Sequence, residues 1–153
     1  MKNLRNVLVA ICLIAGIAVL VFLLQFRAMT KAVNEQMTKV EAVNLGNLDN
    51  GVYAGGFSKF FMGADARVAV ADSAILSVDI VDQKCGKGYE ALETVDRIVQ
   101  AQSPKVDAVS GATGSSFFIM IAVHRALTSE PVQRIASPIE AVAPIVDPTT
   151  TVE

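Results

Sequence analysis

The sequence predicts an α+β fold: a small antiparallel sheet packed with two helices, preceded by one N-terminal transmembrane helix. Three observations carry this expectation. Residues 7–24 form an uncharged apolar run, VLVAICLIAGIAVLVFLL. Two strand-like stretches are separated only by Asp72-Ser73, the spacing of a two-residue hairpin. Two later stretches have helical apolar patterning and flank a loop of small residues. The 153 residues fit one ordinary domain. The organisation expected is a membrane anchor over 1–27, a helical stalk or linker over 28–47, the folded domain over 48–128 and a proline-containing, disordered tail over 129–153.

The anchor comes first. Arg5 and Arg27 bracket a span with no charge, close to the roughly 20 residues a helix needs to cross a bilayer. A buried helix of a soluble protein is rarely apolar on every face. A cleaved signal peptide has a shorter apolar region of about 7–15 residues and a small-x-small cleavage site, and bulky Ile11 before Cys12 makes a poor lipoprotein site. An uncleaved anchor, with the lipid bilayer contacted through residues 7–26, is therefore the favoured reading. Lys2 and Arg5 stand on one side and Arg27, Lys31 and Lys39 on the other, so the positive-inside rule gives nearly a tie on orientation.

Charge narrows the partners. Of 13 basic residues, Lys2, Arg5 and Arg27 precede Thr30, whereas all 15 acidic residues follow it. The later part is net acidic and has no Lys/Arg run, which argues against nucleic acid, whose phosphates need basic clusters. Cys12 and Cys85 lie in different regions, so no disulfide framework is expected. His124 is the only histidine. No metal site is expected, and no side chain stands out as catalytic.

After the anchor, Val33, Met37, Val40 and Val43 recur at helical spacing, read as a stalk that spaces the domain from the membrane. Asn50-Gly51 marks a turn. Val52 to Phe57 reads as a strand in which Gly55-Gly56 mark a bulge or a close backbone approach. Phe60-Phe61-Met62 reads as a core patch. Ala66 to Ala71 is a second strand. Ala74 to Asp82 is a third, with Leu76, Val78 and Ile80 alternating with Ser77, Asp79 and Val81. Gln83 to Gly88 is a loop. It is either a glycine turn with solvated lysines or a phosphate-facing loop in which Lys84 and Lys87 supply charge beside Cys85. Tyr89 to Gln102 is an amphipathic helix, with Leu92, Val95, Ile98 and Val99 on one face. Ser103-Pro104 ends it.

The stretch Asp107 to Ser116 (DAVSGATGSS) is a loop running into a helix that begins SFFIMI. Thr113, Ser115 and Ser116 are candidate N-caps, and capping is the commoner use of such residues. The same geometry suits a phosphate, because first-turn N–H groups and the helix dipole favour negative charge. Gly111 and Gly114 allow the backbone to approach a ligand, and Ala112 leaves room around the Thr113 hydroxyl. His124 and Arg125 near the helix end are dipole-favoured.

Asp107-x-x-Ser110-Gly111-Ala112-Thr113 resembles the attachment motif of the FMN-binding domain family, Asp-x-x-Ser/Thr-Gly-Ala-Thr/Ser. That family includes the flavoprotein subunits of the sodium-pumping quinone reductase and of the related ferredoxin-linked complex. Every fixed position of the motif matches. Asn50 to Tyr53, the Gly86-x-Gly88 loop, Ile98 to Ser103, Ser115-Ser116 and Ala126-Leu127 extend the similarity over about residues 48–128. The chain departs from the family at Asp72-Ser73, where a glycine-containing turn is more usual, and at Gln83, where a histidine is frequent.

The resemblance implies FMN held by a phosphoester on Thr113. A magnesium-dependent flavin transferase would donate it from FAD and release AMP. Ser110, Gly111, Ala112, Gly114, Ser115, Asp107, Lys87 and Gly88 would surround the cofactor or its attachment site. It further implies a single-pass protein of the cell membrane with its domain outside the cytoplasm. Such a protein relays electrons between membrane or cell-surface redox partners, which favours an electron-transfer flavoprotein over a self-contained enzyme and leaves the enzyme question open. The alternatives are a non-covalent or flavin-free module of the same fold, or a subunit of a flavin-dependent reductase complex. The tail holds Pro131, Pro138, Pro144 and Pro148, and its Ile135, Ile139, Val142 and Ile145 leave docking to a partner open.

Overall fold

The computed structural model describes residues 2–129 and 131–134. Most of the proline-containing tail, including Ile135, Ile139, Val142 and Ile145, lies outside them. The architecture is α+β. Helix α1 (Lys2–Met37) is followed by strands β1 (Gly51–Lys59), β2 (Met62–Ala71) and β3 (Ala74–Lys84). Helices α2 (Glu93–Ala101) and α3 (Thr113–Leu127) come next, then a two-residue strand β4 (Gln133–Arg134). The sheet is antiparallel with order β3-β2-β1-β4. The start of the expected disordered tail is thus paired: Gln133 and Arg134 lie opposite Val52 and Gly51, and Val132 N donates to Val52 O.

Helix α1 is long and apolar enough to cross a membrane, and its most apolar window, of mean hydropathy 3.3, is wholly unburied. The helix does not stop where the apolar run stops. Met29 and Val33 are buried, and so are Val40 and Leu45 in the connection to β1. All four belong to the main core together with residues of the sheet and α3. The segment expected to be a spacer is therefore part of the packed domain. Only Val33 and Met37 of its regularly spaced apolar residues lie on the helix, which ends at Met37; Val40 and Val43 follow in irregular chain and pack against the same core.

The core lies between α3 and one sheet face. Tyr53, Phe57, Ala64, Ala66, Val68, Val70, Ile75 and Val78 meet Phe118, Ile119, Ile121, Ala122, Val123 and Ala126. Of the two effects expected of Gly55-Gly56, the close backbone approach is the one found, since β1 pairs with β2 in unbroken register. A Cβ on Gly55 would collide with Ala122 O and Ala126 N, so α3 crosses β1 backbone against backbone. Ala122 and Ala126, one turn apart, keep that approach open.

Asp72 and Ser73 both have positive φ, 51° and 62°, as a two-residue turn with the twist of a hairpin requires. The face of β3 differs from the expectation. The ladder shifts register between Ala69 and Val70, pairing Val70 with Ile75 and Ala69 with Ser77. Leu76 is the extra residue, so Ile75 joins Val78 and Ile80 on the core side. Leu76 packs on the opposite face with Val52, Ala69 and Ala71. A bulge reverses the alternation that a strict period of two would impose.

Two more expectations are corrected. Phe60 and Phe61 are not core: they form the turn between β1 and β2 and are 48% and 50% exposed. The second helix starts at Glu93, four residues later than expected. Glu90 is drawn into the preceding loop: its carboxylate accepts from Gly88 N at 3.0 Å, and its carbonyl accepts from Gln83 Nε2 at 2.6 Å. Ala91 then takes a positive φ of 53°, which no helix continues through. The helix ends as expected near Ser103, with Gln102 left-handed and Ser103 N donating to Ile98 O at 3.3 Å. The Gln102 amide also pairs with both backbone groups of Ile75, at 2.7 and 2.9 Å, fastening α2 to the start of β3.

Candidate functional site

Helix α3 starts at Thr113, and its N-cap position is Ala112. Neither Thr113, Ser115 nor Ser116 caps the helix, and no side-chain capping bond is present. Ser115 and Ser116 are buried instead. The Ser116 hydroxyl donates to Ala112 O at 3.0 Å. It accepts from Val109 N at 3.0 Å and from the buried Thr94 hydroxyl at 3.1 Å. One proton and two lone pairs are thereby all used. This serine pins the loop to its own helix and to α2.

A second tie comes from α2. Arg97 Nη1 donates to Asp107 O at 2.9 Å and to Ala108 O at 3.2 Å. Its Nη2 pairs with Glu93 Oε1 at 2.8 Å. The guanidinium fork is oriented by one carboxylate and closes on two successive carbonyls. The stretch Asp107–Ala112 is thus held at both ends, although it is irregular.

What this holds in place is an exposed threonine. Thr113 is solvent-accessible, and its hydroxyl has no hydrogen-bond partner among the described residues. Ser116 N is the first to reach back to a carbonyl of the turn, Ala112 O. The N–H groups of Thr113, Gly114 and Ser115 have no partner four residues back, as at any helix start. Gly111 has φ +81° with open space where a Cβ would stand. The glycine there serves the backbone turn and not a tight fit.

Beside Thr113 lies an open cavity of about 400 Å³, lined by Gly88 to Leu92 and by Val109 to Ala112. The structure therefore brings Gly88 together with Ser110, Gly111 and Ala112. Tyr89 and Leu92 are 56% and 58% exposed, large apolar groups at the rim of a hollow. The other predicted residues fall elsewhere. Asp107 lines a separate open depression with Arg97 and Lys105. Lys87 is exposed and outside the lining, Ser115 is buried, and Gly114 lies over the Met62 side chain. Lys84 stands 3.8 Å from Asp82.

Glu90 gives the loop its electrostatic definition. The Gly88 N–H bond, ahead of its own backbone N–H, holds its carboxyl below the ordinary 4.5. An ionised Glu90 orders the glycine loop at the cavity edge.

Residues 63–128 match the family model of the FMN-binding domain. That segment belongs to the FMN-binding domain family. The match spans β2 through α3 and includes every cavity-lining residue and Thr113. Strand β1 precedes the matched residues, yet its nine residues pair with β2 along their whole length, so it completes the sheet of the FMN-binding domain. A search of curated proteins finds no significant match to the chain.

The residues present fit the cofactor. The FMN-binding domain offers a free hydroxyl at a helix start, first-turn N–H donors for a phosphate, and a mostly apolar hollow next to them that suits a planar ring. Sequence reasoning missed Arg97, Thr94, Tyr89, Glu90 and Leu92. The i,i+4 spacing of Glu93 and Arg97 was a visible signal of a pair. Nothing local indicated that the arginine would also hold Asp107 and Ala108.

Proposed function

We propose that this protein is a membrane-anchored flavoprotein that carries FMN on Thr113 through a phosphoester bond and relays electrons between redox partners outside the cytoplasm. The observation that carries the reading is the free, exposed Thr113 hydroxyl at the first residue of α3, beside the cavity shared by Gly88–Leu92 and Val109–Ala112. In the attachment step, the Thr113 oxygen bonds to the phosphorus of the FMN half of FAD. The pyrophosphate bond breaks, AMP leaves, and the hydroxyl proton is lost. A magnesium-dependent flavin transferase catalyses the exchange. Bound FMN supplies the one- and two-electron chemistry.

The chain's own residues hold and orient. The first-turn N–H groups of α3 would hold the single negative charge of the phosphodiester, which the helix dipole favours. Gly111 turns the backbone out of the way, and Ser116 and Arg97 fix the loop. Tyr89 and Leu92 offer apolar surface to the ring. Asp107, exposed and next to the loop, is a recognition point for the transferase. The helix α1 anchor keeps the carrier at the membrane, and covalent attachment keeps the cofactor from diffusing away there.

The test is co-expression of the full chain with and without a flavin transferase, followed by denaturing electrophoresis and intact mass measurement. In-gel flavin fluorescence and the added mass of an FMN unit are expected only with the transferase. Thr113→Val abolishes both. Flavin that binds the folded chain but washes out on denaturation would point to non-covalent binding, and retention in Thr113→Val would move the attachment site.

A further inference from the structure

The turn between β1 and β2 is unusual in composition. Lys59 pairs with Met62, so the loop is only Phe60-Phe61. Phe60 has φ +58°, a conformation that glycine and asparagine adopt readily and a bulky aromatic residue rarely does. Both rings are about half exposed, at 48% and 50%, and they stack edge-on at 5.0 Å. The turn thus presents two aromatic rings outward at a position where backbone preference favours small polar residues.

Those rings are continuous with the apolar surface of α1. The Phe60 ring lies 5.7 Å from that of Phe22, which in turn stacks with Phe26 at 6.4 Å. Helix α1 first becomes buried by the domain at Met29. Phe22 is seven residues earlier, about 10 Å along the axis at 1.5 Å per residue. The hairpin therefore reaches back along the helix, past Arg27 and into the uncharged stretch.

We propose that Phe60 and Phe61 form a second membrane contact, a wedge that enters the same leaflet in which the outer end of α1 sits and holds the FMN-binding domain against the bilayer. The inference rests on α1 being a membrane anchor. If Phe22 lies in the hydrocarbon region, the rings beside it share its depth. The adjoining pair fits shallow insertion, because apolar side chains presented at the headgroup/acyl boundary can bury there without spanning the bilayer. The Lys59↔Met62 pairing keeps the neighbouring backbone satisfied, as low polarity demands. Lys59 is placed to keep its ammonium among headgroups while its stem lies along the apolar surface.

The experiment uses the full chain in phosphatidylcholine vesicles, with Cys12→Ala and Cys85→Ser removing the native thiols. An environment-sensitive fluorophore is attached in turn at Leu13→Cys, Phe61→Cys and Ser73→Cys. Quenching is read from nitroxide groups on the upper acyl chains and from aqueous iodide. Expected are acyl-chain quenching and iodide shielding at position 61, with the reverse at position 73 in the other hairpin turn. If position 13 is shielded while position 61 is as open to iodide as position 73, the wedge is refuted and the anchor stands. If position 13 itself is open to iodide, the anchor reading fails and the wedge with it. A second measurement guards against a perturbed turn. A label at Lys59→Cys should lose most of its acyl-chain quenching when Phe60→Asn and Phe61→Gly are introduced together, a pair that suits a two-residue turn. Unchanged quenching in that variant also overturns the proposal.

Discussion

At the scale of single residues, the candidate site depends on side chains that hold its loop without lining its cavity. Ser116 is the clearest case, because its hydroxyl serves Ala112 O, Val109 N and Thr94 at once. Ser116→Ala leaves the Val109 N–H without its partner. The expected loss is about 1–3 kcal/mol, the cost of a buried group left unsatisfied, measured as a lower urea midpoint, with a lower yield of attached flavin because the loop is no longer fixed. The sequence marked Ser116 as a cap. Its residue type was legible, but its use was not, since both its donor from Val109 and its link to Thr94 come from chain that is near only after folding. His124 supplies a pH dependence. Burial, opposed by Glu41 and aided by Arg125, holds its pKa below the ordinary 6.5. The unfolded chain then takes up the proton first. The contribution is fully present above about 6.5 and is lost as pH falls through that value toward the lower folded pKa. Urea midpoints should therefore decline between neutral pH and mildly acidic pH, and His124→Gln should flatten that part of the profile.

At the scale of elements, the sheet–helix sandwich depends on Gly55. A side chain there meets the α3 backbone at Ala122 and Ala126, and main chain cannot move aside as the end of a flexible side chain can. Gly55→Val is expected to cost at least the upper end of the roughly 1–3 kcal/mol of overpacking, seen as a large drop in thermal midpoint. The same change at exposed Gly88, where no atom stands within 4 Å of a Cβ, meets only the strain of its positive φ. The glycine pair in β1 was legible as a bulge or a close approach, the third strand followed from its alternation, and the apolar start of α3 was plain in its residue types. Two features did not. The Leu76 bulge leaves no mark in a pattern of alternating residues, because Ile75, Leu76, Val78 and Ile80 are all apolar and either face could be the inner one. The start of α2 was placed too early because Glu90 and Leu92 suit a helix locally; what removes them is the Gly88 N–H, which the Glu90 carboxylate takes up.

At the scale of the whole molecule, the question is whether the FMN-binding domain swings on a tether or is fixed to its anchor. The sequence showed a periodic stretch after the apolar run but not the surface it would meet, since a stalk and a packed helix share one pattern. In the structure α1 is unbroken from Lys2 to Met37, with Met29 and Val33 in the core. Arg125 of α3 reinforces the junction: it donates to Gln36 Oε1 at 3.1 Å and to Gly56 O at 3.0 Å, and its guanidinium stands 4.7 Å above the Phe57 ring. On the proposed reading, a fixed domain would hold Thr113 at one height above the bilayer and so set how closely a redox partner must approach. Val33→Asp tests this, because a carboxylate at a buried helix position costs several kcal/mol unless the helix separates from its partner. The expected outcome is release of α1 with the sheet and α3 still folded. A spin label at Ser73 should then become more mobile in vesicles, while attachment of flavin to Thr113 by the transferase persists. If mobility at Ser73 is unchanged and the variant remains folded, the contact between α1 and the domain does not set its orientation.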